Sequence, residues 1–160
     1  MSIERATPGT PVAATDVRAT AGTTYPPAFK AHIEARIKRR LGDAFGLQQF
    51  GINLVVLPPG AWSSQRHWHA QEDEFLYVLS GELVLVTGAG EQVLRPGDCT
   101  GFPAGHADGH HLINRSTAEA VYIEVGTRTA DEDVDYPDID MVMRRRAGKP
   151  AFLNRQGKPY

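Results

Sequence analysis

Between residues 47 and 125 the sequence is a succession of short β-rich runs, each stopped by glycine or proline, with almost no sustained helical period. LQQFGINLVVL (47–57) halts at Pro58-Pro59-Gly60, and 74–79 turns at Ser80-Gly81 and resumes as ELVLVTG. A hairpin is expected at 88–90, a brief strand at 92–95, a turn at 96–98, and further strands at 100–103, 110–114 and 118–125. Strands spaced by about 8–12 residues between such breakers predict an all-β antiparallel sandwich or barrel. EFLYVLSGELVLV (74–86) reads as two strands joined by a tight hairpin. Upstream, PAFKAHIEARI (27–37) predicts a short helical turn, followed by a turn at Gly42-Asp43.

Set into this β framework, GAWSSQRHWHAQEDEFLYVLSG (60–81) carries His67, His69 and Glu74 within eight residues. His67 and His69 are two apart, so on an extended strand both rings point to one face, and Glu74 can return to that face after a turn. Two imidazoles and a carboxylate suit one divalent transition metal: Mn, Fe, Ni or Zn. A lone His-x-His is more often a half-buried polar pair than a ligand pair. A second cluster, GDCTGFPAGHADGHHLIN (97–114), adds His106, His110 and His111.

The two segments resemble the paired motifs of the cupin superfamily, G-x5-H-x-H-x3-4-E-x6-G and G-x5-P-x-G-x2-H-x3-N. The first matches through His67, His69, Glu74 and Gly81, with Gly60 one residue early. The second matches through Gly97, Pro103, Gly105, His110 and Asn114, with four residues rather than two between Gly105 and the histidine. The resemblance implies a double-stranded β-helix, the jelly-roll-like cupin barrel, with extended termini and a metal held by His67, His69, Glu74 and His110. On a strand His110 shares a face with Leu112 and Asn114, whereas His111 faces away. Asp108 is the alternative fourth ligand, and His106 reads as a loop residue. The FPAG…DGHHLIN stretch and the YPDID tail (136–140) together are similar to a subset of small bacterial single-domain cupins described as sugar-phosphate-isomerase-like.

At 160 residues, 41% of them hydrophobic, the chain suits one domain. The expected division is an N-terminal arm over 1–25, flexible or exchanged onto a partner subunit; a barrel over 26–140 with its motif core at 47–126; and a tail over 141–160 packing on barrel or partner. Such an arm and tail could protect an edge strand in a homodimer. A formal net charge of −2 argues against nucleic-acid binding, and RIKRR (36–40) and Arg144–Arg146 read as solvated basic faces, the alternative being contact with an anionic substrate or partner. The single cysteine, Cys99, excludes an internal disulfide and is expected in the core. With no signal-like N-terminus and no long apolar run, no membrane association and a cytoplasmic location are expected.

Three imidazoles and one carboxylate around a divalent ion leave a net positive site, suited to a small anionic or hydroxylated ligand. Four protein ligands close a tetrahedral zinc, whereas six-coordinate manganese, iron or nickel keeps two positions open. The function expected is a metal-dependent, isomerase-like enzyme acting on a small hydroxylated, carbonyl or carboxylate compound. The alternatives are a non-haem iron dioxygenase and a non-catalytic ligand-binding or sensing module. Asp108 and His106 are the candidate proton-moving groups, with an outer-loop role as the bland alternative. Gln65 and Arg66 are candidate substrate contacts, or else solvated strand-end residues. Trp62, Phe75, Tyr77, Phe102 and Tyr122 lie near the site in sequence and are expected mostly in the core, and Trp68 is expected to point away from the metal.

Overall fold

The computed structural model describes residues 2–160, and its regular elements are almost all strands. In chain order these are β1 (Ala19–Ala21), β2 (Ile37–Arg40), β3 (Phe50–Leu57), β4 (Trp68–His69), β5 (Glu74–Ser80), β6 (Leu83–Thr87), β7 (Gly90–Leu94), β8 (Cys99–Phe102), β9 (His111–Ile113), β10 (Ala120–Thr127), β11 (Glu132–Tyr136), β12 (Met141–Arg146) and β13 (Lys149–Leu153). One helical turn at Pro27–Phe29 and a four-residue helix, α1 (Leu41–Ala44), interrupt them. The all-β double-stranded β-helix expected from the motifs is the fold observed. Among the described residues no helix is long and apolar enough to cross a membrane.

A six-stranded sheet runs β1-β2-β3-β10-β5-β8, facing a four-stranded sheet β13-β12-β11-β4 and a three-stranded sheet β7-β6-β9. All pairings between these strands are antiparallel, so residues directly opposite one another share a face. Glu74 stands opposite Gly126 and Phe102, Leu76 opposite Glu124, and Val78 opposite Tyr122. Tyr122 in turn stands opposite Val55, and Val55 opposite Lys38. This cross-strand register makes one wall of the interior: apolar at one end, polar at the other. The apolar end continues into a core of Leu57, Leu83, Leu85 and Leu112, each side chain contributing about 2 kcal/mol by leaving water.

Four sequence expectations need correction. The segment 74–86 is not a hairpin: β5 pairs with β10 and β8, whereas β6 pairs with β7 and β9, so the chain changes sheets at Gly81. Gly81 has φ +78°, and a Cβ there would sit 2.6 Å from Ala120 Cα, so the corner is too tight for any side chain. Cys99 is exposed, because β8 turns Thr100 and Phe102 inward and the cysteine outward. The basic run 36–40 is largely a sheet strand rather than a solvated face, and the Gly42-Asp43 turn is part of α1.

In the N-terminal arm β1 pairs with β2 at the sheet edge, and Ile3 bridges to Val17. The tail forms β12 and β13 and packs Met141 and Met143 with Val134 and Tyr136 in a second apolar cluster, against Tyr25, Phe29 and Phe152.

Candidate metal centre

His67 and His69 come from the short segment around β4, Glu74 from the first residue of β5, and His110 from the residue before β9. The main chains of His67 and His110 bridge one another, each amide donating to the other's carbonyl (3.2 and 2.8 Å), which anchors the two motifs together. Nε2 of His67 lies 3.1 Å from Nε2 of His69, and Nε2 of His110 lies 3.1 Å from Glu74 Oε2. Glu74 Oε2 is 3.5 Å from His69 Nε2 and 3.8 Å from His67 Nε2. Ligand atoms about 2.1 Å from one ion stand about 3.0 Å apart on an octahedron and about 3.4 Å apart on a tetrahedron. The His67, His69 and Glu74 donors therefore lie close enough together for a shared cation, and His110 Nε2 meets the same carboxylate oxygen.

The tautomer of His67 agrees. Its Nδ1 lies 2.9 Å from the Gln65 carbonyl, which can only accept, so Nδ1 carries the hydrogen and the Nε2 lone pair faces the cluster. Burial, then the neighbouring charges of His69 and His110, push His67 down to about 3, so it stays neutral across the physiological range. Burial opposes ionisation of Glu74, but hydrogen bonds from His110 and His69 outweigh it and hold the carboxyl well below its ordinary value. Burial likewise works against a charged His69, and Glu74 more than compensates, raising it.

The cluster opens on a cavity of about 600 Å³, walled by β2, β3, β5 and β10 on one side and β11 and β12 on the other. Of the aromatic candidates, Tyr122 lines this cavity. Phe102 stacks on the His110 ring, and Trp62 stacks on His32 and meets His111 edge-on. Phe75 and Tyr77 are exposed on the outer face of β5. Trp68 pairs with Asp135, on the opposite face of the sheet from the His69 and Val134 pair.

The remaining candidates lie off the cavity. Asp108 Oδ1 accepts from the Gly88 amide at 2.7 Å, and its carboxylate stands 3.8 Å from Arg66, so the residues added to the second motif carry it to the β6–β7 turn. His106 is exposed in the same loop. Gln65 donates to the Phe29 carbonyl at 2.8 Å, and Arg66 makes a two-pronged clamp on Asp138, 2.7 Å for each bond. Both hold outer segments to the barrel. His111 is turned away from the cluster, with Nδ1 3.0 Å from the Ser64 carbonyl.

Sequence reasoning missed Glu132 and Glu72. Glu132 is fully buried; its Oε1 accepts from the amides of Ala70, Gln71 and Asp133, while Oε2 has no partner. Val134 stands opposite His69, so Glu132, two residues earlier, shares that inward face, and a ring nitrogen of His69 lies within 4.8 Å of the Glu72 and Glu132 carboxylates. Glu72 Oε1 accepts from Thr129 and Arg145, which ties down its charge. The alternation of Glu132, Val134 and Tyr136 was the available signal, masked by the acidic run around it.

Fold and cluster together define a small β-barrel protein with three histidines and one carboxylate converging on an internal cavity. The Cupin domain family model matches residues 53–126. The chain is 44% identical to a cupin-superfamily sugar phosphate isomerase from Silicibacter pomeroyi, over 94% of this chain and 96% of that one, with a TM-score of 0.90. It is 34% identical to an Acidithiobacillus ferrooxidans protein proposed as a sugar phosphate isomerase, over 78% and 80% of the two chains, with a TM-score of 0.72. A search of curated proteins finds no match. The chain belongs to the cupin superfamily.

Proposed function

We propose that the protein is a metal-dependent isomerase acting on a small hydroxylated carbonyl compound, with sugar phosphates as the first substrates to test. The observation that carries this reading is the convergence of His67, His69, Glu74 and His110 donor atoms at the wall of a cavity of about 600 Å³, a size suited to one small molecule. The Silicibacter pomeroyi and Acidithiobacillus ferrooxidans relatives support the reaction class. A divalent ion in this site supplies Lewis acidity toward a carbonyl oxygen. Substrate access favours manganese, iron or nickel over a four-coordinate zinc.

An aldose–ketose interconversion moves one proton between adjacent carbons and one between their oxygens, with no net oxidation, so it requires no second substrate. The chain's own contribution is a partly enclosed, polar-walled cavity. Tyr25 and Tyr122 keep their hydroxyl protons there, burial pushing Tyr25 up to about 12 and Tyr122 well above its ordinary value. Both are therefore donors toward substrate oxygens at neutral pH.

Element-resolved metal analysis of protein purified without added metal, alongside His67→Ala and Glu74→Ala, tests the centre. Stoichiometric metal is expected in the parent and its loss in both variants; metal retained by both refutes the assignment. Incorporation of solvent deuterium into sugar phosphates by metal-replete protein tests the reaction. Oxygen uptake by iron-loaded protein would replace isomerisation with dioxygenation. Tight binding of a sugar phosphate without turnover would make the protein a binding module.

A further inference from the structure

Four cationic side chains line the cavity: Arg36, Lys38, Arg128 and Arg145. Three of them are committed to carboxylates. Lys38 pairs with Glu124 at 2.8 Å, Arg128 with Asp43 at 2.5 Å, and Arg145 with Glu72. Arg36 has no carboxylate partner among the described residues. Its Nη1 donates to the Ser63 carbonyl, and its Nε is buried without any acceptor. A buried guanidinium edge left unpaired is costly, and a ligand oxygen that reaches it recovers that cost.

Arg36 reaches the interior because of strand alternation. Lys38 on β2 stands opposite Val55, on the face shared with Tyr122, and Arg36 precedes Lys38 by two residues. Both accordingly line the cavity while Ile37 and Arg39 do not. The Tyr122 hydroxyl is the other such group here: the residue is fully buried, and beyond a weak approach to Ser63 its oxygen has no hydrogen-bond partner. Tyr122 stands opposite Val55 and Val78 on the inward face, and it, Arg36 and the clustered His67, His69, Glu74 and His110 all line the one cavity.

We propose that Arg36 and the Tyr122 hydroxyl form an oxyanion subsite beside the metal cluster, which takes the phosphate or carboxylate group of the substrate while its carbonyl end faces His67, His69, Glu74 and His110. The planar Nε edge of arginine matches two oxygens of such a group, and a protonated phenol supplies a third bond. The subsite names the anionic end of the substrate and rests on the metal-dependent reading above. Its two-point hold fixes which end of a sugar phosphate meets the cluster.

The test is titration of inorganic phosphate, and separately acetate, into parent, Arg36→Lys, Arg36→Met and Tyr122→Phe proteins by calorimetry. Each protein is measured metal-replete and metal-stripped, with metal content and thermal midpoint recorded. In the stripped proteins the subsite predicts anion binding that weakens about tenfold or more in Arg36→Met and several-fold in Tyr122→Phe. Arg36→Lys should recover part of the loss, as a charge without the planar edge. All the replete variants should keep stoichiometric metal. Anion affinity equal in parent, Arg36→Met and Tyr122→Phe overturns the subsite. Should Arg36→Met fail to fold, Tyr122→Phe and Arg36→Lys decide in the same way. Preference for phosphate or for acetate identifies the anion. Arg36-dependent phosphate binding without isomerisation of any sugar phosphate would uphold the subsite and reject the enzymatic reading. Isomerisation with Arg36-independent phosphate binding would do the reverse.

Discussion

His110 lies flat against Phe102, the ring centroids 3.5 Å apart and the planes 2° from parallel. Phe102 stands opposite Glu74 across the β5–β8 pair, so one cross-strand position supplies both the face on which the imidazole rests and the carboxylate that its Nε2 meets. Nδ1 of His110 is buried without a partner. The stack therefore holds the plane of this ring, whereas a hydrogen bond to the Gln65 carbonyl holds that of His67. Phe102→Ala should weaken metal binding by about tenfold, the scale of losing a group that orients a ligand. Chelator competition measures this, and unchanged affinity would show that the ring is oriented by other contacts.

Glu132 separates a structural role from an electrostatic one. Its Oε1 holds three amides while Oε2 has no partner, and the carboxylate lies within 4.8 Å of a His69 ring nitrogen. Glu132→Ala leaves those amides without their acceptor and should cost at least about 3 kcal/mol of stability. Glu132→Gln keeps an acceptor and removes a buried charge, so the metal-free thermal midpoint should hold or rise. If the charge supports His69 as a ligand, metal affinity in Glu132→Gln should nonetheless fall by about tenfold or more. A Gln variant with parent-like affinity would limit Glu132 to holding the loop.

The buried His67 makes metal-free protein sensitive to acid. Its folded value, about 3, lies below the ordinary 6.5, so between these the unfolded chain binds a proton that the folded chain does not. The resulting stability is complete above 6.5 and is lost as pH falls toward 3; His69, raised by Glu74, contributes with the opposite sign. In chelator, the thermal midpoint of the parent should drop more steeply than that of His67→Gln from about pH 7 to about pH 4.5. Parallel curves would show that His67 carries no such penalty.

Gly81→Ala tests the sheet-crossing corner. A methyl there would meet Ala120 Cα at 2.6 Å and the Glu119 carbonyl at 2.7 Å, on a backbone already at φ +78°. The left-handed conformation and the overpacking together should cost about 2 kcal/mol or more. Thermal unfolding measures it, and a change under about 0.5 kcal/mol would place the corner elsewhere.

The all-β class and the identity of the clustered donors were legible in the chain because both rest on local periodicity. His67 and His69 alternate with Trp68, and His110 with His111, so the residue sharing the cluster-facing side follows from parity once a strand is assumed. Parity does not say which strands pair or which face of a strand becomes the interior. Arg36 and Lys38, in a run that looked solvated, line the cavity because β2 joins β3; Glu132 is buried because β11 joins β4. Cys99 is turned outward and the chain changes sheets at Gly81 by the same kind of long-range register. Hydrogen-bond partners distant in sequence settle these placements, and a pattern read along the chain contains no information about them.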